Sequence, residues 1–196
     1  MRFEPDTETV ALRQHPPGDL AMWVFILAEL LVFGVFFLAF AYARAGAPEL
    51  FNHYQATLDR TSGLVNTVLL ITGSYFAARA VGAIRAGGRD ACFRWLLAAL
   101  TAGAAFLGVK GTELVHHYGE GIRLSTNTFY MFYLSLTFFH FMHVILGMVV
   151  LAAVAFNARQ GAYTAGEHTG VETGAAYWHM VDLVWLILFP LVYVMR

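Results

Sequence analysis

Cysteine is almost absent. Cys92 is the only one in 196 residues, so no internal disulfide can form and no Cys-x-x-Cys spacing exists to hold a metal. Charge is scarce too: 13% of residues are Asp, Glu, Lys or Arg, and the formal net charge is −1. Such a chain has no basic surface for nucleic acid. It also lacks a Ser-His-Asp arrangement, a phosphate loop and an HExxH pair, which leaves no self-contained catalytic constellation. No internal repeat and no inverted pair of broken helices is visible, which argues against a secondary transporter. Met1–Pro17 is polar, and the first apolar run is too long for a signal-peptide core and is followed by no small-residue cleavage pattern.

Apolar residues dominate instead: 59% of the chain is hydrophobic and the mean hydropathy is +0.61. That composition predicts an all-α, polytopic membrane protein. Five runs reach the roughly 20 apolar residues that a span needs: Leu20–Ala43, Gly63–Ile84, Phe93–Val115, Phe129–Phe156 and Ala175–Met195. The organisation is a polar N-terminal segment (1–18) followed by one five-helix domain (19–196). The second run carries Asn66, Thr67, Thr72, Ser74 and Arg79, which predicts protein around most of it. The third is rich in Ala and Gly, which allow close helix approach and predict a central position. The fourth exceeds a span, which implies tilt or extension into water. Arg44–Ser62, Arg85–Cys92, His116–Thr128 and Asn157–Gly174 read as polar or turn-rich connections.

Basic residues orient the spans. Seven of them (Arg2, Arg13, Arg79, Arg85, Arg89, Arg94 and Arg159) fall on one side and five (Arg44, Arg60, Lys110, Arg123 and Arg196) on the other. The bias predicts a cytoplasmic N-terminus and an exterior C-terminus. Trp23, Trp95 and Trp178 fall near span ends, where indole rings favour the interface. Asp19, after Pro16-Pro17-Gly18, is placed to cap the first helix.

The ionizable residues inside the spans are the informative ones. Glu29 lies nine residues into the first run, roughly 14 Å deep at the helical rise. A carboxylate there costs about 2.5–3.5 kcal/mol on insertion scales, so it must face protein, be protonated or pair. Lys110 and Glu113 are three apart and of opposite sign. They read as an ion pair marking a helix end, with Lys110 able to snorkel, or as a partner-facing contact. His140 and His143 share a helix face. That spacing permits metal or haem ligation, but no other intramembrane ligand clusters with them in sequence, and interhelical hydrogen bonding is the favoured reading. His179 and Asp182 also share a face, either as a mutually satisfied polar knot or as part of a proton relay. Pro190 should kink the last helix or sit where the freed carbonyl finds another donor. These spacings turn the polar groups toward one interior.

Four segments resemble subunit III of the haem-copper oxidases. GDLAMWVFILAELLVFGVFF is similar to that family's first common helix, with Glu29 at the position of its membrane-buried, carbodiimide-reactive glutamate. KGTEL, with Lys110 and Glu113, resembles its (K/Q)xxE segment. TFFHFMHVILG, with His140, His143 and Gly147, resembles FHGLHVxxG. YWHMVDLVW, with Tyr177, Trp178, His179, Asp182 and Trp185, resembles YWHFVDxVW, the most specific of the four. The similarity runs from Asp19 to the end. Two N-terminal helices of the full-length subunit are missing, as in the five-helix forms of quinol oxidases and in NorE, the accessory protein associated with nitric oxide reductase in denitrifying bacteria. Chain length, the AEL context of Glu29 and the ending WHMVDLVWLILFPLVYVMR look most like NorE. Phe139 and Phe141 stand where the oxidase pattern has small residues, which changes how closely a neighbouring helix can approach.

The resemblance implies a bacterial inner-membrane accessory subunit that binds no cofactor of its own and packs against the haem-bearing subunit of nitric oxide reductase. The alternatives are subunit III of an aerobic quinol or cytochrome c oxidase, and a proton-conducting membrane protein. Membrane lipids are expected neighbours. Bound phospholipid stays open, because the family's lipid groove takes its other wall from the two missing helices.

Overall fold

The computed structural model describes residues 18–195; Arg2, Arg13, Pro16, Pro17 and Arg196 lie outside them. Within that range the protein is all-α. The elements are α1 (Leu20–Gly46), α2 (Pro48–Thr57), α3 (Arg60–Arg85), α4 (Arg89–Gly119), α5 (Thr128–Gln160) and α6 (Thr169–Phe189), which runs into a C-terminal π turn, Pro190–Val194. Five segments are long and apolar enough to cross a membrane: α1, α3, α4, α5 and α6 with its π turn. Their order matches the five runs, but α3, α4 and α5 extend beyond the apolar limits at both ends, α1 at its C-terminal end and α6 at its N-terminal end.

Local chemistry sets the boundaries. Asp19 caps α1 by accepting from the Ala21 amide at 3.0 Å, while its own amide donates to Thr173 Oγ1 at 3.0 Å and fastens the start of α1 to α6. Asp59 caps α3 through the Thr61 amide, and Asn127 caps α5 through that of Tyr130. Each side-chain oxygen satisfies an amide that the first helical turn leaves unpaired. Between α3 and α4 the chain reverses through Gly87, at φ 77°, a conformation that costs Gly little.

The connection Arg44–Ser62 is not a simple loop. Pro48 sits in the first turn of α2, where its missing N–H is no loss. α2 packs on α5 and the π turn, burying Phe51 and Gln55. Arg44 then donates to the Met195 carbonyl, and to Asn52 Oδ1 at 3.0 Å, tying the end of α1 to α2 and to the C-terminus. Pro190 does not simply kink α6. The helix widens into the π turn, which closes with the Met195 amide on the Pro190 carbonyl at 2.9 Å.

The central helix is α6, not the Ala- and Gly-rich α4. α6 packs against α1, α3 and α5, and 56% of its apolar window is buried, against 33% for α4 and 17% for α1. The small residues of α4 serve close packing on α3 and α5. α3 is half surrounded: Asn66 and Thr67 are buried, whereas Arg79 is exposed and stacks over Trp95. α1 is the most peripheral span, with Leu20, Leu27, Leu31 and Leu38 all exposed.

Candidate functional site

The polar residues form three clusters rather than one interior. The first joins α1 to α5. Glu29 Oε2 lies 3.0 Å from His143 Nε2. His143 Nδ1 is 2.7 Å from the Phe139 carbonyl, an oxygen that only accepts, so Nδ1 carries hydrogen. Nε2 therefore either accepts from a protonated Glu29 or, as imidazolium, donates to the carboxylate. Both arrangements have no net charge, which lowers the cost of two titratable groups within a bilayer. Phe33 flanks the imidazole edge-on at 5.2 Å, and the Tyr177 hydroxyl donates to the His143 carbonyl at 3.5 Å.

His140, one turn away, behaves differently. It is 1% exposed, and neither ring nitrogen has a hydrogen-bond partner among the described residues. The expected interhelical hydrogen bond is thus made by His143 alone. His140 packs instead against Trp185 and Phe106, with ring centroids 5.1 and 5.7 Å away. Among the described residues, no three His, Cys, Asp or Glu side chains converge in a way that could hold a metal ion.

The second cluster surrounds Lys110, which does not snorkel. α4 continues to Gly119, so Lys110 lies more than two turns inside the helix and is 0% exposed. Its Nζ donates to Glu113 Oε1 at 3.0 Å, Tyr133 Oη at 3.2 Å and Tyr193 Oη at 2.6 Å. Both tyrosines donate in turn to Glu113 Oε1, at 2.5 and 2.7 Å. Ser62 Oγ donates to the other carboxylate oxygen at 3.2 Å. Nζ also sits 5.0, 5.3 and 5.8 Å from the ring centroids of Tyr133, Tyr193 and Trp185. A local i, i+3 pair is thus the centre of a four-helix knot joining α3, α4, α5 and the π turn. Sequence spacing missed Ser62, Tyr133 and Tyr193 because they come from other elements. A hydroxyl within an apolar run is the one signal that points to Tyr133 and Tyr193; Ser62, in a polar connection, carries none.

The third cluster lies on α6. His179 and Asp182 do not hydrogen-bond each other as a neutral pair; His179 turns to Ser74 of α3. His179 Nδ1 is 3.2 Å from Ser74 Oγ, Ser74 neighbours Asp182, and Asp182 Oδ1 has no hydrogen-bond partner among the described residues. Asp182 is buried, whereas His179 is exposed, contrary to an all-inward arrangement.

The aromatic residues of the last motif anchor the bundle. Trp178 faces the bundle: the indole is fully buried among protein side chains. A Cβ added to Gly103 would lie 2.7 Å from its ring, to Gly147 3.1 Å, and to Gly73 3.3 Å. Three helices thus bring a glycine against the indole, most tightly at Gly103. Trp185 donates from Nε1 to Thr67 Oγ1 at 2.9 Å. Trp23 and Trp95 are half-buried. Phe139 packs on Phe36 of α1, centroids 5.6 Å apart, so the bulk at that position fills the α1–α5 seam.

A profile described as Cytochrome c oxidase subunit III matches residues 17–196. The chain belongs to that family. Among curated relatives, "Cytochrome c oxidase subunit 3" of Thermostichus vulcanus is 32% identical, covering 93% of this chain and 90% of the relative. "Quinol oxidase subunit 3" of Bacillus subtilis (strain 168) is 28% identical, over 90% of this chain and 86% of the relative. "Cytochrome c oxidase subunit 3" of Prototheca wickerhamii is 33% identical over 88% and 67%. All three relatives carry the names of oxidase subunits.

Proposed function

We propose that this subunit III protein is a non-catalytic accessory subunit of a bacterial terminal oxidase, packed in the inner membrane against the haem-bearing catalytic subunit. The observation that supports this reading is the way its intramembrane charges are used. Glu29 with His143, and Lys110 with Glu113, Tyr133 and Tyr193, fasten helices to one another. Such knots hold a rigid surface for a partner. The family match and the oxidase names of its relatives favour oxygen over nitric oxide as the partner's substrate, reversing the order suggested by the NorE-like features. The role is in assembly, stability or sustained turnover, with no cofactor in this chain and phospholipid at its faces.

Arg79, Arg85, Arg89, Arg94 and Arg159 all lie at the end of the bundle where α1 and α6 begin and α3 and α5 finish. By the positive-inside rule that end is cytoplasmic.

One observation favours the nitric oxide reductase partner as a second reading: Phe139, a departure from the oxidase pattern, is half exposed beside Phe36 on the outer α1–α5 seam. A partner with a different contact surface would account for it. A deletion strain separates the two. Slowed oxygen consumption with normal nitric oxide consumption is expected; the reverse pattern would make the reductase the partner. Proton conduction is the least supported reading, because among the described residues no hydrogen bond joins the three clusters into one path.

A further inference from the structure

His179 is the one intramembrane ionizable side chain in the three clusters that faces outward, and it faces a groove. The groove runs between α1, α3 and α6 and encloses about 500 Å³, within the roughly 300–1,000 Å³ of small-molecule sites. Its walls are apolar, with Ile26, Leu30, Val81, Ala176 and Met180 among them. Its polar groups are few and ordered by depth. At the mouth, Arg85 Nη2 and Glu172 Oε1 meet at 2.6 Å. His179 follows seven residues further along α6, about 10 Å deeper at the helical rise.

That depth decides what can bind. The headgroup and interfacial layer is only about 5–7 Å thick on each side of a bilayer. A point 10 Å below the charged pair lies in hydrocarbon, beneath the ester carbonyls of a phospholipid. His179 Nδ1 is committed to Ser74 Oγ, and its Nε2 has no hydrogen-bond partner among the described residues. Ser74 in turn neighbours the buried Asp182, so the imidazole is held in place from behind. An unmatched ring nitrogen in hydrocarbon is costly. The ligand that relieves it must be soluble among acyl chains and carry a hydrogen-bonding oxygen at that depth. A phospholipid head is too shallow and too charged. A ring carbonyl on an apolar tail meets both conditions.

We infer that the α1–α3–α6 groove binds an isoprenoid quinone, with one ring oxygen on His179 Nε2 and the tail along Ile26, Leu30 and Met180. The site is for binding; no electron transfer is assigned to this chain.

The test uses the full-length chain in lipid nanodiscs, with decylubiquinone as probe and equilibrium binding as readout. Saturable binding is expected. His179→Leu, which removes the hydrogen bond, and Ala176→Trp, which fills the groove while keeping the imidazole, each weaken it at least about ten-fold. No saturable binding, wild-type affinity in either variant, or full displacement of the probe by an equal concentration of phosphatidylethanolamine overturns the assignment. If a variant does not fold, photolabelling of the wild-type chain with an azido-ubiquinone decides instead. Adducts on Ile26, Ala176 or Met180 support the site, and adducts confined to other faces overturn it.

Discussion

Glu29 of α1 and His143 of α5, 114 positions apart in the chain, meet at 3.0 Å inside the membrane. α1 is the least buried span, and between the ties at its two ends through Asp19 and Arg44 this pair is its mid-helix polar attachment to the bundle. Interhelical hydrogen bonds in membranes average about 0.6 kcal/mol and reach about 1.7 kcal/mol. A double-mutant cycle with Glu29→Leu and His143→Leu, read by unfolding in detergent, should give a coupling in the upper half of that range. Strictly additive losses would mean that the pair does not fasten α1.

The Lys110 knot should answer differently to one change than to two. Lys110 is fully buried and Glu113 nearly so, with side-chain exposures of 0% and 8%. Lys110→Met alone leaves a buried carboxylate without its cation, a defect that costs about 3–5 kcal/mol in buried pairs. Adding Glu113→Leu removes the stranded charge and should restore most of the stability. Thermal midpoints of the single and double variants measure this; a double variant as unstable as the single would count against a charge-centred knot.

The fold was largely legible because bilayer thickness imposes it: a run of about 20 apolar residues has few alternatives to a spanning helix. The site was legible only within single helices. Lys110 with Glu113 could be read from spacing, but Tyr193, 80 residues from Glu113, reaches it through tertiary packing that no local period encodes. The full burial of Trp178 and Lys110 was not legible for one reason: hydropathy along a span does not say which way a side chain points, and both point into the bundle. α2 was hidden by Gly46 and Pro48, yet Pro in a first helical turn is a start signal as well as a break.

Close approach around Trp178 predicts position-specific intolerance on α4. Gly103→Ala places a Cβ 2.7 Å from the indole, and overpacking of this kind costs about 1–3 kcal/mol. Gly108→Ala, on the same helix with nothing within 4 Å, should be neutral or slightly stabilising. Melting curves of the two variants make the comparison; equal effects would show that α4 does not clasp the ring.

Thr67→Val keeps the shape beside Trp185 and removes the acceptor of its indole hydrogen bond at 2.9 Å. A loss of about 1 kcal/mol is expected, accompanied by a change in the environment of a buried tryptophan in near-ultraviolet circular dichroism. An unchanged spectrum and unchanged stability would place the α3–α6 attachment elsewhere.

The accessory role is tested most directly by purifying the tagged chain from its own membranes in mild detergent and measuring haem and partner together. The account predicts that a haem-bearing oxidase subunit co-purifies in stoichiometric amount, and that the chain stripped from it carries no haem. Haem retained by the isolated chain, or a chain that leaves the membrane without a haem protein, would contradict it.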